Sequence, residues 1–124
     1  MTSTHDTITL TTAQAILRWL SNQFFEFDGE ELRLCGGGFG IFGLGNVTCL
    51  GEALHGVRDE LPLYRGQNEQ SMGFAAAGYA KQWLRQRFMF CTASAGPGTL
   101  NLVTSAALAR SEERRVGQEC RYRW

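Results

Sequence analysis

The 124-residue chain has one lysine, two histidines and no excess of charge of either sign, with twelve acidic and twelve basic residues. A formal net charge of zero gives no electrostatic case for a nucleic-acid partner or an anionic membrane surface. No apolar run approaches the roughly 18 residues that a membrane span needs. The polar start, MTSTHDTITL, lacks the hydrophobic stretch of a secretory leader. These absences make the cytoplasm the expected location. Four cysteines (Cys35, Cys49, Cys91, Cys120) are widely spaced, with no C-x-x-C pair, which argues against both a zinc site and a disulfide framework. Cys35, Cys49 and Cys91 stand in apolar runs and read as small hydrophobes. His5 and His55 are too far apart in sequence to suggest a metal pair, and His55 has no nucleophile elbow to serve, so no metal ligand is expected in this chain.

What remains is a composition that is 44% hydrophobic and 19% charged, that of one soluble globular domain at most. Thr11 and Gln14 have the spacing of a capping box, and apolar residues at helical spacing behind them predict a helix over 12–24. Asp28-Gly29 is a turn, and Glu31 to Cys35 a short strand running into Gly36-Gly37-Gly38. Asn46 can cap a second helix, Val47 to Val57, and Leu61 to Arg65 is a second strand. A long helix opens at Gln67 or Asn68 and ends near Arg85. Arg87 to Thr92 is the most strand-like run, and after Ser94-Ala95-Gly96-Pro97-Gly98 a helix follows from Leu100 to about Ala109. Strand, glycine-bearing loop and helix thus recur three times, which predicts an α/β fold with a parallel sheet. In such sheets ligands bind at the carboxyl ends of the strands, where the loops GGGFGIFGLG, RGQNEQ and SAGPG would meet.

The glycine run 36–45 can be read as a phosphate loop, but it has no clean G-x-G-x-x-G and no Lys-Ser/Thr, and Phe39, Ile41 and Phe42 suit an apolar surface better. Glu69 is the more pointed feature, because after it no charge occurs for eleven residues, until Lys81. An acid in the first turn of a helix can simply complement the macrodipole. At the mouth of so apolar a helix it would also be desolvated, and could share a proton with a ligand nitrogen.

Asn68-Glu69-Gln70-Ser71-Met72-Gly73-Phe74-Ala75-Ala76-Ala77-Gly78-Tyr79-Ala80 resembles a motif of the thiamine-diphosphate enzymes of the acetolactate-synthase superfamily, in which a glutamate opens a helix ending in A-x-G-Y-A. Thr92 to Asn101 is similar to the T-S-G-P-G-x-x-N loop of the same pyrimidine-binding domain. The resemblance covers about residues 8–109 and implies a three-layer parallel sheet with flanking helices. It makes Glu69 the catalytic acid that contacts the pyrimidine of thiamine diphosphate and promotes loss of the thiazolium C2 proton. It places Ser94, Gly96, Pro97 and Asn101 around the pyrimidine, with Gly40, Ile41 and Phe42 closing over it.

GGGFGIFGLGNV and RDELPLYRGQNEQ look most like the branch that opens a cyclic dione by C–C hydrolysis in inositol catabolism. That branch usually carries a histidine where Leu44 stands, which keeps an acetolactate synthase or another carboligase as an alternative; a non-catalytic association module is a third. The resemblance further implies Mg2+ and the diphosphate bound by a second domain absent from this sequence. It also implies a homo-oligomer with the site between subunits, so that this chain alone would be inactive. Residues 1–110 read as a truncated pyrimidine-binding domain, and the charge-rich 111–124 as a non-native tail.

Overall fold

The computed structural model describes residues 7–43 and 45–111. The expectations for Leu44 and for residues 112–124 lie outside the described residues. The chain opens with α1 (Thr12–Ser21), started by the capping box: the Thr11 hydroxyl accepts from Gln14 N and the Gln14 side chain accepts from Thr11 N. Replacing Thr11 by alanine removes one half of that exchange and should lower stability by about 1 kcal/mol, read as a drop in the denaturation midpoint at unchanged slope.

The helix stops earlier than its apolar spacing predicts. Asn22 Nδ2 donates to Arg18 O at 2.7 Å and Gln23 Nε2 to Trp19 O at 3.1 Å, so two amide side chains satisfy the last carbonyls. Phe24, expected at the end of the helix, instead begins β1 (Phe24–Phe27). A turn at Asp28 and Gly29, both at positive φ, joins β1 to β2 (Glu30–Arg33) as an antiparallel hairpin.

The second correction concerns the glycine run. Gly36 to Gly40 are not a loop but most of β3 (Cys35–Gly40), the central strand of a parallel sheet ordered β4 (Leu63–Arg65), β3, β5 (Phe88–Thr92). Neighbouring side chains explain this use of glycine. A Cβ on Gly38 would lie inside the Phe90 ring of β5, and one on Gly36 would meet the Tyr79 ring. At Gly37, where the pairing with β5 shifts register, φ is 120° and a Cβ would strike the Pro62 carbonyl oxygen. The strand is bare because its neighbours lie across it.

From β3 the chain passes through a π-helical turn (Val47–Gly51) into α2 (Glu52–Gly56) and reaches β4 on one side. From β4, α3 (Glu69–Gln82) returns across β3 to β5 on the other side. Right-handed crossovers in opposite directions put α2 and α3 on opposite faces of the sheet. The packing agrees: Leu17 of α1 and Ala53 and Leu54 of α2 form a core with Cys35 and Leu61, against which Phe88, Phe90 and Leu63 pack. α3 covers β5 and β3 from the other face, beside α4 (Pro97–Asn101) and a further helical stretch over 103–111. The fold is therefore a parallel sheet with flanking helices, as expected.

Asn46 does not cap its helix with its side chain, which donates instead to Ala93 O at 3.0 Å. α3 ends at Gln82 rather than near Arg85, because Arg85 N turns back to Ala80 O at 2.7 Å in a left-handed terminating turn. Of the cysteines, Cys35 is buried and Cys91 half-buried, and burial raises both thiol pKa values. Cys49 is exposed, contrary to its apolar sequence setting, because the π-turn carries it outward.

Candidate functional site

The carboxyl ends of β3, β4 and β5 come together as the parallel register requires. Gly66 N donates to Gly40 O at 3.3 Å and Ile41 N to Thr92 O at 3.1 Å, joining the three strand ends. Asn46 adds its bond to Ala93 O, so the loop after β3 is tied to the loop after β5.

Glu69 is the first residue of α3. Asn68 precedes it in extended backbone, its side chain accepting from Ser71 N at 3.0 Å, so the Glu69 backbone is fixed at the helix start. The side chain is half-buried. Asn101, at the end of α4, donates from Nδ2 to Glu69 Oε2 at 3.1 Å. Gly98 of the same short helix is buried against the other oxygen: a Cβ there would stand 3.0 Å from Oε1 and 3.4 Å from Ser94 Cβ. Among the described residues no ion pair or further hydrogen bond reaches this carboxylate.

Ser94 lies between two glycines, since a Cβ on Gly43 would come within 2.7 Å of its Oγ. Its carbonyl accepts from both Thr99 N (3.1 Å) and Thr99 Oγ1 (3.0 Å), which seats α4 on the loop. Gly96, at φ 81°, makes the turn that starts α4, and Pro97 occupies the first helical position.

The residues singled out from sequence are thus divided. Glu69, Asn101 and Ser94 form one cluster, with Gly96 and Pro97 shaping the turn behind it. Gly40 is buried within the sheet, its missing Cβ facing Thr92 and Leu63. Ile41 sits at the strand end, half-buried. Phe42 packs toward the α1–α2 core, the side of the sheet away from α3. Gly98 and Gly43 also belong to the cluster; both lie in glycine loops placed at the strand ends from sequence, but neither is among the residues that the resemblance puts around the pyrimidine. The signal for Gly98 is its place three residues before Asn101, which puts both on one helix face; Gly43 leaves no signal of that kind.

The family model described as thiamine pyrophosphate enzyme, N-terminal TPP binding domain, matches residues 39–116. The chain is 53% identical over 103 residues to the 3D-(3,5/4)-trihydroxycyclohexane-1,2-dione hydrolase of Geobacillus thermodenitrificans, covering 83% of this chain and 16% of that protein. It is 50% identical, over the same length and shares, to the 3D-(3,5/4)-trihydroxycyclohexane-1,2-dione hydrolase of Bacillus thuringiensis (strain Al Hakam). The chain therefore spans about one-sixth of the length of these relatives. No solved structure gives a significant match. With most of its length matched to that domain, the chain belongs to the thiamine pyrophosphate enzyme family.

Proposed function

We propose that this chain supplies the pyrimidine side of a thiamine pyrophosphate site in a hydrolase that opens a cyclic 1,2-dione by breaking a C–C bond in inositol breakdown. One observation carries the reading: the Glu69 carboxylate is held by Asn101 at the carboxyl end of the sheet, in a chain about half identical to hydrolases named for such a dione. The donor set fits the cofactor's aminopyrimidine. A carboxylate held by a neutral amide suits sharing a proton with a ring nitrogen and would repel a phosphate. Gly98 lets the α4 backbone pack close to Oε1, where a Cβ would stand only 3.0 Å away.

In this reading Glu69 holds or releases a proton at the pyrimidine, while Ser94, Gly96 and Pro97 shape the pocket wall. Ile41 closes it from the end of the neighbouring strand, with Gly40 behind it in the sheet, while Phe42 packs on the other face. When bound, thiamine pyrophosphate supplies a carbon nucleophile for attack on the substrate carbonyl, chemistry that belongs to the cofactor. Mg2+ and the diphosphate are assigned to a second domain; among the described residues no group of three or more His, Cys, Asp or Glu could hold a metal ion. The exposed Phe74, Leu100 and Val103 supply an apolar surface for a second subunit, which would complete the site. Without those parts the chain alone is inactive. Among the described residues no helix is long and apolar enough to cross a membrane, and neutral charge supports a small-molecule substrate over nucleic acid. Leu44, where the hydrolase branch carries a histidine, favours a carboligase as the second reading.

A graft tests the proposal. Residues 8–109 of this chain, replacing the matched segment of the Geobacillus hydrolase, should give an enzyme that opens the dione. A graft that binds thiamine pyrophosphate but joins two carbonyl substrates instead would replace the hydrolase reading by the carboligase one. A graft that folds and does not take up the cofactor would end both.

A further inference from the structure

The resemblance places Asn101 directly against the pyrimidine, yet its amide is spent on Glu69, with Nδ2 at 3.1 Å from Oε2. Both ends of this bond sit on anchored turns. α4 is held to the preceding loop by the two Thr99 bonds to Ser94 O and by Leu100 N to Gly96 O at 3.1 Å. α3 is held by the Asn68 cap. The two oxygens of Glu69 are therefore unequal: Oε2 has a donor, and Oε1 faces Gly98, where no side chain stands.

We propose that Asn101 is a positioning residue, whose amide holds Glu69 by Oε2 and so presents Oε1 as the oxygen that meets the ligand's ring nitrogen. This rests on the thiamine pyrophosphate reading for the identity of the ligand, but not for the pairing itself. α4 becomes a two-point template for one carboxylate, with Asn101 fixing its rotation and Gly98 letting the backbone pack against its other oxygen. A carboxylate free to rotate would spend much of its time with neither oxygen aligned, and misalignment of an acid–base group lowers rate more than affinity.

The pairing is tested without any cofactor, on the full 124-residue chain. The Asn101 side-chain amide protons are followed by 15N–1H NMR from neutral to acid pH. A charge-assisted bond to an ionised carboxylate shifts the donor proton, and protonation of the acceptor weakens it. The expected result is an Asn101 signal displaced from that of a free asparagine amide and moving with pH, with the movement abolished in Glu69→Gln. An Asn101 signal at the free-amide position at every pH overturns the proposal, whether or not the rest of the spectrum is dispersed.

The role is tested in the Geobacillus graft by a double-mutant cycle. Asn101→Ala should lower kcat about tenfold, the scale of one hydrogen bond to a charged group, with little change in KM. In a Glu69→Gln background it should cost little more. Equal losses in both backgrounds would make Asn101 an independent ligand contact and overturn the positioning role. An inactive graft whose Asn101 signal still follows Glu69 removes the cofactor reading and leaves the pairing in place.

Discussion

Glu69→Gln in the grafted full-length enzyme should lower kcat by about 10²- to 10⁴-fold, the usual contribution of a positioned acid–base group, while cofactor affinity changes little. The amide has the carboxylate's shape and can still accept from Asn101, so the geometry survives. What it loses is the ability to take and return a proton. The competing account is that Glu69 only complements the dipole of α3, whose first turn holds this one acid. That account predicts a stability loss of about 0.3–1 kcal/mol at an exposed helix start and no effect on rate. The two are separated by measuring denaturation and turnover on the same preparation. A further check is exchange of the bound cofactor's C2 hydrogen with D2O, which should slow in parallel with turnover. A Glu69→Gln enzyme of normal turnover and slightly lower stability would reduce Glu69 to a helix-start acid.

Gly37→Ala should destabilise the fold by about 3 kcal/mol or more, the sum of backbone strain of ~1–3 kcal/mol and a compromised hydrogen bond. At φ 120° an L-residue is strained whatever its surroundings. Here the surroundings are also closed, because the new Cβ would run into the Pro62 carbonyl oxygen, a backbone atom with no rotamer to change. That oxygen already accepts from Gly38 N at 2.9 Å, so moving it aside breaks the link between β3 and the segment leading into β4. Gly29→Ala is the matched control: it also has positive φ, at 83°, but open space around it. It should cost only the ~1–2 kcal/mol of left-handed backbone. Urea denaturation of the two variants decides the point, and equal midpoints would mean that the Pro62 contact exerts no steric cost.

Sequence made the starts of α1 and α3 and the outer strands of the sheet legible because they are written locally. Thr11 with Gln14, and Asn68 with Ser71, are signals three residues apart that act over that same distance. The run Phe88–Thr92 carries its strand character in its own side chains. β3 carries none, since glycine has no periodicity to read; its strand character is imposed by Phe90, Tyr79 and Pro62, all distant in sequence. β1 is hidden for another reason. Phe24 lies four residues after Leu20, so it completes a helical pattern that the side chains of Asn22 and Gln23 end first. The site divides in the same way. The isolated charge of Glu69 and the motif around it are visible, but its bond to Asn101 spans 32 positions and is made only by the fold.

The Phe90 ring lying over Gly38 has a consequence for inheritance. The two positions behave as one heritable unit, since any side chain at 38 requires a smaller one at 90. A lineage could cross between the two solutions only by shrinking residue 90 first, which opens a tolerated gap, and then filling it from residue 38. The reverse order passes through a clash. Descendants of this sequence should therefore keep glycine at 38 for as long as they keep an aromatic at 90, however freely the solvent-facing helices drift.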